Sequence, residues 1–308
     1  MRRPIKSSRR DFLSLGLAAA GMAGLPLMPV RRSFAAGAAE FTVLSDGHLM
    51  LPLGFSYPDV PQDELKAMLA AAGQPVDSLA PDCNVTMLRS GDRLILFDVG
   101  AGGNFMPTAG KLADSLAAAG VEPDEVTDVI FTHGHPDHLW GLIDDFDEPV
   151  FANAGFHMSA VEWQFWTDPE TVNVMEEARK TFAVGAASRL ALIADRINLF
   201  APGDEVVAGV EAVDTAGHTP GHTSFMVHGG GDPVLVAGDA ISHPLISFEH
   251  PEWPSGADQD TGMGIRTRMA LLDRLAADKA AIIGYHLPMP GQGRVERTDS
   301  AYRFAPDA

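Results

Sequence analysis

The segment Thr132–His138, which reads THGHPDH, constrains this chain more than any other feature. It places three imidazoles and one carboxylate within the six consecutive positions from His133 to His138. Imidazole nitrogen and carboxylate oxygen are ligands that Zn²⁺ and its first-row neighbours accept. A polar loop that is merely rich in histidine is the plain alternative, but a chance H-x-H-x-D-H is rare in a chain with 11 histidines. The segment therefore predicts a metal-binding loop.

Other candidate ligands also follow predicted strands. His133 comes after a strand predicted at 126–131, His218 after 209–214, Asp239 after 234–237 and His286 after 280–284. Loops at the carboxyl ends of strands are where α/β folds build their sites. Taken alone, His218 or His286 could be a core or surface histidine and Asp239 a turn residue. Together with 132–138, they are candidates for the same metal site.

The net charge of the chain excludes some partners. It is −19, and because residues 1–35 carry seven basic side chains and one acidic one, the remainder carries −25. So acidic a protein repels nucleic acid and anionic lipid, so we expect a small-molecule substrate and no nucleic-acid partner. The single cysteine, Cys83, excludes an intramolecular disulfide and a Cys-based zinc cluster. Its place in an apolar strand favours a buried side chain over a reactive thiol.

Residues 1–37 have the pattern of a twin-arginine export signal. Arg9 and Arg10 precede an apolar run at 12–30, and small residues follow at 33–38. The pattern predicts export by the twin-arginine machinery to the periplasm, with cleavage near 36–39. An uncleaved membrane anchor is the alternative, because 19 residues nearly span a bilayer, but the glycines and prolines of the run favour cleavage.

Residues 38–308 are predicted to form one domain. Hairpins come first in each half, and strands then alternate with helices, which suggests two α/β halves packed sheet to sheet. Among the elements between the candidate ligands, we expect a strand at 149–152 and helical stretches at 155–166 and 168–194.

The motifs, taken in order, resemble the metallo-β-lactamase superfamily of hydrolases. The matching pieces are LFDVG at 96–100, THGHPDH at 132–138, TAGHTPGH at 215–222, AGDA at 237–240 and GYHLP at 284–288. The resemblance implies an α/β fold, a four-layer αββα sandwich, with two metal ions in the cleft between the sheets. It implies that Asp98 supports the site.

The same resemblance implies a ligand set. One ion would be held by His133, His135 and His218, and the other by Asp137, His138 and His286. Asp239 would bridge the two, since a carboxylate can bridge and its charge offsets the repulsion between two dications. We expect Zn²⁺, with Mn, Co or Fe as alternatives. The nucleophile would be a metal-bound hydroxide, with Asp137 and Asp239 acting as ligands and not as free bases.

Two stretches are similar to methyl parathion hydrolase-like enzymes, namely HLPMPG at 286–291 and LSDG at 44–47. That likeness implies an aromatic substrate pocket, for which the candidates are Phe105, Phe165, Trp166 and Phe182. These four side chains could equally be core residues. The predicted reaction is hydrolysis of an ester, lactone or phosphotriester.

Several alternatives stay open. The same fold can host an iron-dependent oxidoreductase or a β-lactam hydrolase, and a non-catalytic binding protein would be marked by a missing ligand. A homodimer is possible by analogy with resembling enzymes. Of the remaining histidines, His222 is interpreted as structural, and His243 either supports the site from outside the ligand set or has no part in it.

Overall fold

The computed structural model describes residues 31–144 and 146–307. Its strands, in chain order, are β1 (Arg31–Ala36), β2 (Ala39–His48), β3 (Leu51–Pro52), β4 (Ser78–Leu79), β5 (Asp82–Ser90), β6 (Arg93–Phe97), β7 (Asp128–Ile130), β8 (Gly155–Ser159), β9 (Ile197–Phe200), β10 (Glu205–Val207), β11 (Val210–Asp214), β12 (Thr223–Val227), β13 (Val234–Val236), β14 (Ala281–Ile283), β15 (Gln292–Arg297) and β16 (Tyr302–Pro306).

Its α-helices are α1 (Leu53–Ser56), α2 (Gln62–Ala71), α3 (Leu112–Ala119), α4 (Pro136–Leu139), α5 (Ala160–Thr167), α6 (Thr171–Val174), α7 (Lys180–Ala191), α8 (Ile246–Glu249) and α9 (Thr261–Asp278). Single 3-10 turns lie at Pro123–Glu125, Trp140–Leu142, Glu177–Arg179 and Gly238–Ala240.

The strands form two seven-stranded sheets. The first has the order β1-β2-β5-β6-β7-β8-β9 and the second runs from β10 to β16 in chain order, while β3 pairs with β4 apart from both. Strands β6 to β9 are parallel to one another, as are β13 and β14 in the second sheet. The carboxyl ends of β7, β13 and β14 therefore open into the loops that carry candidate ligands.

Apolar side chains from both sheets share the central core. Phe97 on β6 and Phe225 on β12 lie with ring centroids 5.4 Å apart, within a cluster drawn from both sheets. Helices α3, α5 and α7 cover the outer face of the first sheet. Helices α8 and α9 cover the outer face of the second. The predicted four-layer αββα sandwich is therefore confirmed.

The region between the first ligands and β9 differs from the sequence-based expectation. Residues 149–152 form no strand, apart from one isolated bridge between Ile143 and Pro149. The strand of this region is instead β8, which lies between β7 and β9 and is parallel to both. The helix predicted from residue 155 begins only at Ala160. Because β8 is buried on both faces, its residues show no alternation, and a continuous apolar run reads equally well as a helix. The stretch at 168–194 is divided between α6, a 3-10 turn and α7.

The amino-terminal part of the predicted export signal, residues 1–30, lies outside the described residues. Residues 31–36 form β1, antiparallel to β2, and the Phe34 ring stacks on Phe41 with centroids 4.9 Å apart. In the part of the chain that is described, no helix combines the length and apolarity needed to cross a bilayer.

Candidate metal centre

Seven candidate ligands converge where the two sheets meet. From the first sheet, His133 and His135 lie in the loop after β7, and Asp137 and His138 lie on α4. From the second, His218 lies between β11 and β12, Asp239 in the 3-10 turn after β13, and His286 after β14. All seven are buried, with at most 7% of the surface of each residue exposed.

Three imidazoles form the first group. One nitrogen from each of His133, His135 and His218 can be chosen so that all lie within 4.8 Å of one another. Nδ1 of His135 is 2.9 Å from Nε2 of His218. Burial and the neighbouring imidazoles hold the pKa values of His133 and His135 well below the usual range. These rings are neutral, so their lone pairs are free for a cation.

Two carboxylates and two imidazoles form the second group. Nε2 of His286 lies 3.2 Å from Oδ2 of Asp137 and 3.3 Å from Oδ2 of Asp239. Nε2 of His138 lies 3.2 Å from Oδ1 of Asp239. Oδ2 of Asp239 is also 3.3 Å from Nε2 of His218, in the first group. Asp239 therefore lies between the two groups, where a bridging ligand is needed.

The charges of the second group favour a cation. Although burial opposes ionisation, the imidazoles of His286, His138 and His218 hold the pKa of Asp239 well below its usual value. His138 and His286 show the reverse, because burial is outweighed by the facing carboxylates, which raise their pKa values well above the usual range. The site thus requires positive charge, from protons or from metal ions.

Buried polar atoms without partners mark the same place. Five ligand-set atoms form no hydrogen bond of acceptable geometry among the described residues, although three of them have the 3.2 Å ion-pair contacts given above: His133 Nε2, His135 Nε2, Asp137 Oδ2, His138 Nε2 and Asp239 Oδ1. Leaving such atoms unsatisfied in a protein interior costs free energy. Nitrogen and oxygen donors in this number fit two divalent metal ions.

Groups outside the ligand set orient the imidazoles. Oδ2 of Asp98 lies 2.8 Å from Nδ1 of His138, and the same carboxylate accepts hydrogen bonds from the amide and hydroxyl of Thr132. Nδ1 of His218 lies 3.3 Å from Oδ1 of Asp258, and Nδ1 of His286 lies 2.8 Å from the carbonyl oxygen of Asp82. Such partners fix the ring orientation and tautomer of metal-binding histidines.

Glu162 on α5 was not anticipated from the sequence. Its buried carboxylate accepts hydrogen bonds from the amide of Gly134, between the first two ligands, and from the indole of Trp166. It also accepts from the hydroxyl of Thr219 and the amide of Gly221, which follow His218. One carboxylate thus joins two ligand loops that are far apart in sequence. The one feature of the sequence that could have indicated this role is that Glu162 is a single acidic residue in a helix rich in aromatic residues.

His222 supports the bridging ligand. Nδ1 lies 2.8 Å from the hydroxyl of Thr215, and Nε2 accepts the amide hydrogen of Asp239 at 2.9 Å. Burial lowers the pKa of His222 to about 3, which keeps this acceptor neutral. The interpretation of His222 as structural agrees with these contacts.

His243 lies at the rim of the same cleft. Its Nδ1 accepts hydrogen bonds from the amides of Leu245 and Ile246 at the start of α8. Burial lowers the pKa of His243 to about 4, so the ring is neutral near pH 7. Because Nδ1 is an acceptor, the proton of the neutral ring resides on Nε2. His243 therefore offers one donor in a fixed tautomer.

The four aromatic candidates for the substrate pocket lie in different places in the structure. Phe105 and Phe182 line the cleft beside the ligands and touch edge to face, with centroids 5.9 Å apart. Phe165 instead borders a neighbouring cavity. Trp166 does not line the cleft, because its ring is wholly buried in the core and its indole N–H is bound to Glu162.

Cys83 is buried, as predicted, and lies beside Asp137 and His286. Burial raises the pKa of its thiol to about 11. A neutral thiol is a weak metal ligand and a weak nucleophile. The thiol is therefore neutral in the absence of a metal, and Sγ of Cys83 lies within 4.8 Å of ligand atoms of Asp137 and His286.

The profile of the metallo-beta-lactamase superfamily matches residues 80–285, about two thirds of the chain. The chain belongs to the metallo-beta-lactamase superfamily. No curated protein matches it by sequence.

Solved structures of the superfamily resemble it over most of its length. One is AidC, described as a dizinc quorum-quenching lactonase in complex with a homoserine product, at 25% identity and TM-score 0.87, covering 91% of this chain and 98% of AidC. Another is the hydrolase AbOPH, at 28% identity and TM-score 0.84, covering 90% and 97%. An N-acyl homoserine lactone hydrolase, at 19% identity and TM-score 0.57, covers 82% and 94% and shows the shared fold.

Superfamily membership, the convergent ligands and these neighbours together support a metal-dependent hydrolase with a binuclear site. The ligand geometry alone leaves the identity of the metal open, since histidine and aspartate suit several first-row ions.

Proposed function

We propose that this protein is a binuclear metallohydrolase that opens lactones or cleaves carboxylic esters, with phosphotriesters as further substrates. The observation that carries the proposal is the position of Asp239, whose carboxylate lies within 3.3 Å of imidazoles from both ligand groups. The description of AidC as a dizinc lactonase supports a lactone substrate and zinc as the metal.

The two ligand groups support two metal positions. His133, His135 and His218 would hold one ion, Asp137, His138 and His286 the other, and Asp239 both. When bound, two such ions supply Lewis acidity, which polarises a carbonyl and acidifies water. Asp137 and Asp239 are occupied as ligands, so neither serves as a free general base.

The remaining side chains of the cleft bind and orient a substrate. Phe105 and Phe182 provide apolar walls for an acyl or aryl group. The Nε2–H of His243 can donate a hydrogen bond to a substrate oxygen. The backbone contacts of Nδ1 hold this donor in place, so little freedom is lost when a substrate binds.

Within the superfamily, the methyl parathion hydrolase-like branch is our further proposal. It is supported by the HLPMPG stretch at 286–291, which carries His286, and by the apolar walls of the cleft. Twin-arginine export to the periplasm is likewise a proposal, supported by Arg9, Arg10 and the apolar run that follows. A homodimer remains a proposal by analogy alone.

The function is tested with protein stripped by a chelator and reloaded with Zn²⁺, Mn²⁺ or Co²⁺, then assayed on lactones, aryl esters and phosphotriesters. We expect about two ions per chain and recovered hydrolysis, both lost in Asp239→Ala. Full metal loading without hydrolysis of any compound would refute the proposal. Iron with a visible absorption band, and turnover of a redox substrate, would instead favour the oxidoreductase alternative, and cleavage confined to β-lactams the lactamase alternative.

A further inference from the structure

Three arginines are buried among the residues that the structure describes, and one of them differs from the other two in its hydrogen bonds. Arg268 donates to the carbonyls of Pro251 and Trp253 and to the carboxylate of Asp258. Arg189 donates from Nε and Nη1 to two backbone carbonyls and lies over the ring of Trp140. Arg179 has one hydrogen bond among the described residues, from Nη2 to the carbonyl of Gly256.

Arg179 borders the cleft that contains the metal ligands. It lines the same cavity as His135, Asp137 and Asp239. Its guanidinium carbon lies 5.3 Å from the centroid of the Phe55 ring, on the rim of that cavity. The residue is 8% exposed, the same fraction as Arg189. Arg179 is thus a buried cation that borders the space a substrate would occupy.

The charge of Arg179 is not neutralised within the described chain. No described carboxylate lies within 4.0 Å of its guanidinium nitrogens, and Glu176 and Asp258 act on its charge only at longer range. Burial lowers its pKa despite these acids, yet an arginine stays charged in a protein. Buried charges are normally paired, because removing an ion from water is costly. Nε and Nη1 of Arg179 have no hydrogen-bond partner among the described residues and are not sealed from solvent, so they are accessible to an anion.

We propose that Arg179 binds a carboxylate of the substrate, so that the preferred substrates are esters or lactones that carry a negative charge away from the bond to be cleaved. This inference rests on the proposed hydrolase function and narrows its substrate class. A planar guanidinium can donate two parallel hydrogen bonds to a carboxylate. A neutral carbonyl would use one donor and leave the charge unpaired.

The test compares matched esters on the metal-loaded enzyme. One is 4-nitrophenyl butyrate, and the others are the mono-4-nitrophenyl esters of succinate, glutarate and adipate, which place a carboxylate at increasing distance. We expect the wild type to prefer one monoester over the butyrate. In Arg179→Gln that preference should fall by about 10- to 100-fold, chiefly through KM, because the variant loses a charge-assisted hydrogen bond to the substrate. Arg179→Lys should retain part of it.

Arg189→Gln is the matched control, because Arg189 is equally buried but lies outside the cleft. It should lose stability and keep the substrate preference. A preference unchanged in Arg179→Gln, or reduced equally in Arg189→Gln, would overturn the inference. Hydrolysis of neutral and anionic esters at equal efficiency by the wild type would also overturn it, while leaving the hydrolase function intact.

A second readout needs no turnover. Calorimetry on the metal-loaded protein compares butyrate, which has one carboxylate, with succinate, glutarate and adipate, which have two. The three diacids differ in the distance between their carboxylates. We expect one diacid to bind at least tenfold more tightly than butyrate, and Arg179→Gln to remove the difference. If the enzyme hydrolyses nothing but shows this difference, the proposed function fails and the anion site stands. If the diacids bind no better than butyrate, the anion site fails.

Discussion

Oδ2 of Asp98 lies 2.8 Å from Nδ1 of His138, and both side chains are buried at the end of β6 and on α4. Nε2 of His138 faces Asp239 on the other side of the ring. The carboxylate of Asp98 therefore fixes which nitrogen of His138 faces Asp239 and would be presented to a metal ion. Burial raises the pKa of Asp98, while His138 and Thr132 act in the opposite direction.

Replacing Asp98 by Asn should weaken the second metal site. The amide preserves the shape but removes the charge that holds the ring, so we expect the affinity for the second ion to fall by about 10- to 100-fold. Competition with a chelator measures the affinity for the second ion. Asp128→Asn is the matched control, since Asp128 forms a similar pair with His157, at 3.0 Å and away from the ligands. Equal metal affinity in both variants would contradict the assigned role.

Replacing Glu162 by Gln should destabilise the protein and loosen both ligand loops. The carboxylate accepts four hydrogen bonds, and an amide nitrogen would face donors in place of an acceptor. We expect the free energy of unfolding to fall by about 2–4 kcal/mol, measured in urea. Glu64→Gln, on an exposed position of α2, should leave it unchanged. An unfolding midpoint in Glu162→Gln equal to that of the wild type would refute this account.

His243 should make the metal-free protein sensitive to acid. Its folded pKa is about 4, against 6.5 for an ordinary histidine, so between these values the unfolded chain binds a proton that the folded chain does not. Stability therefore rises with pH across this window, and this one group contributes a slope of at most about 1.4 kcal/mol per pH unit, which falls to about half of that near pH 6.5. His243→Gln should reduce the slope by that amount in urea unfolding at pH 4.5, 5.5 and 6.5. An unchanged slope would show that the ring is protonated in the fold.

Phe182 and Phe165 should differ in their effect on substrate binding. Phe182 lines the cleft, whereas Phe165 borders the neighbouring cavity. Removing the Phe182 ring deletes apolar contact with an aryl group, so KM for an aryl ester should rise about tenfold in Phe182→Ala. The KM for a small aliphatic lactone should change less. Phe165→Ala should leave both values near those of the wild type, and a reversed order would exclude Phe182 as a substrate wall.

The ligand set was the part of the site that the sequence could reveal. Four of its members lie within six positions, from His133 to His138, and the other three lie in short motifs after strands. Glu162 and Asp258 have no such spacing, since each acts across the fold on a loop distant in sequence. No sequence pattern indicated Arg179 either, because its lack of a paired carboxylate is visible only in the folded structure.

The fold class was predictable for a similar reason, while some element boundaries were not. The strands before His133, Asp239 and His286 were predicted from their apolar runs, but β8 is buried on both faces and its apolar run continues into α5. Periodicity cannot separate two such elements. It also could not show that Trp166 faces the core, because the helix is apolar on most sides.

The division of the ligands between the sheets has a consequence for assembly. One half of the chain supplies His133 to His138, and the other supplies His218, Asp239 and His286. Neither half alone has the donors for two ions, so the complete centre arises only after both halves have docked. Bound metal would then crosslink the two halves and stabilise the folded domain. The number of metal ions per chain would therefore measure the fraction of correctly folded protein as well as the fraction able to catalyse.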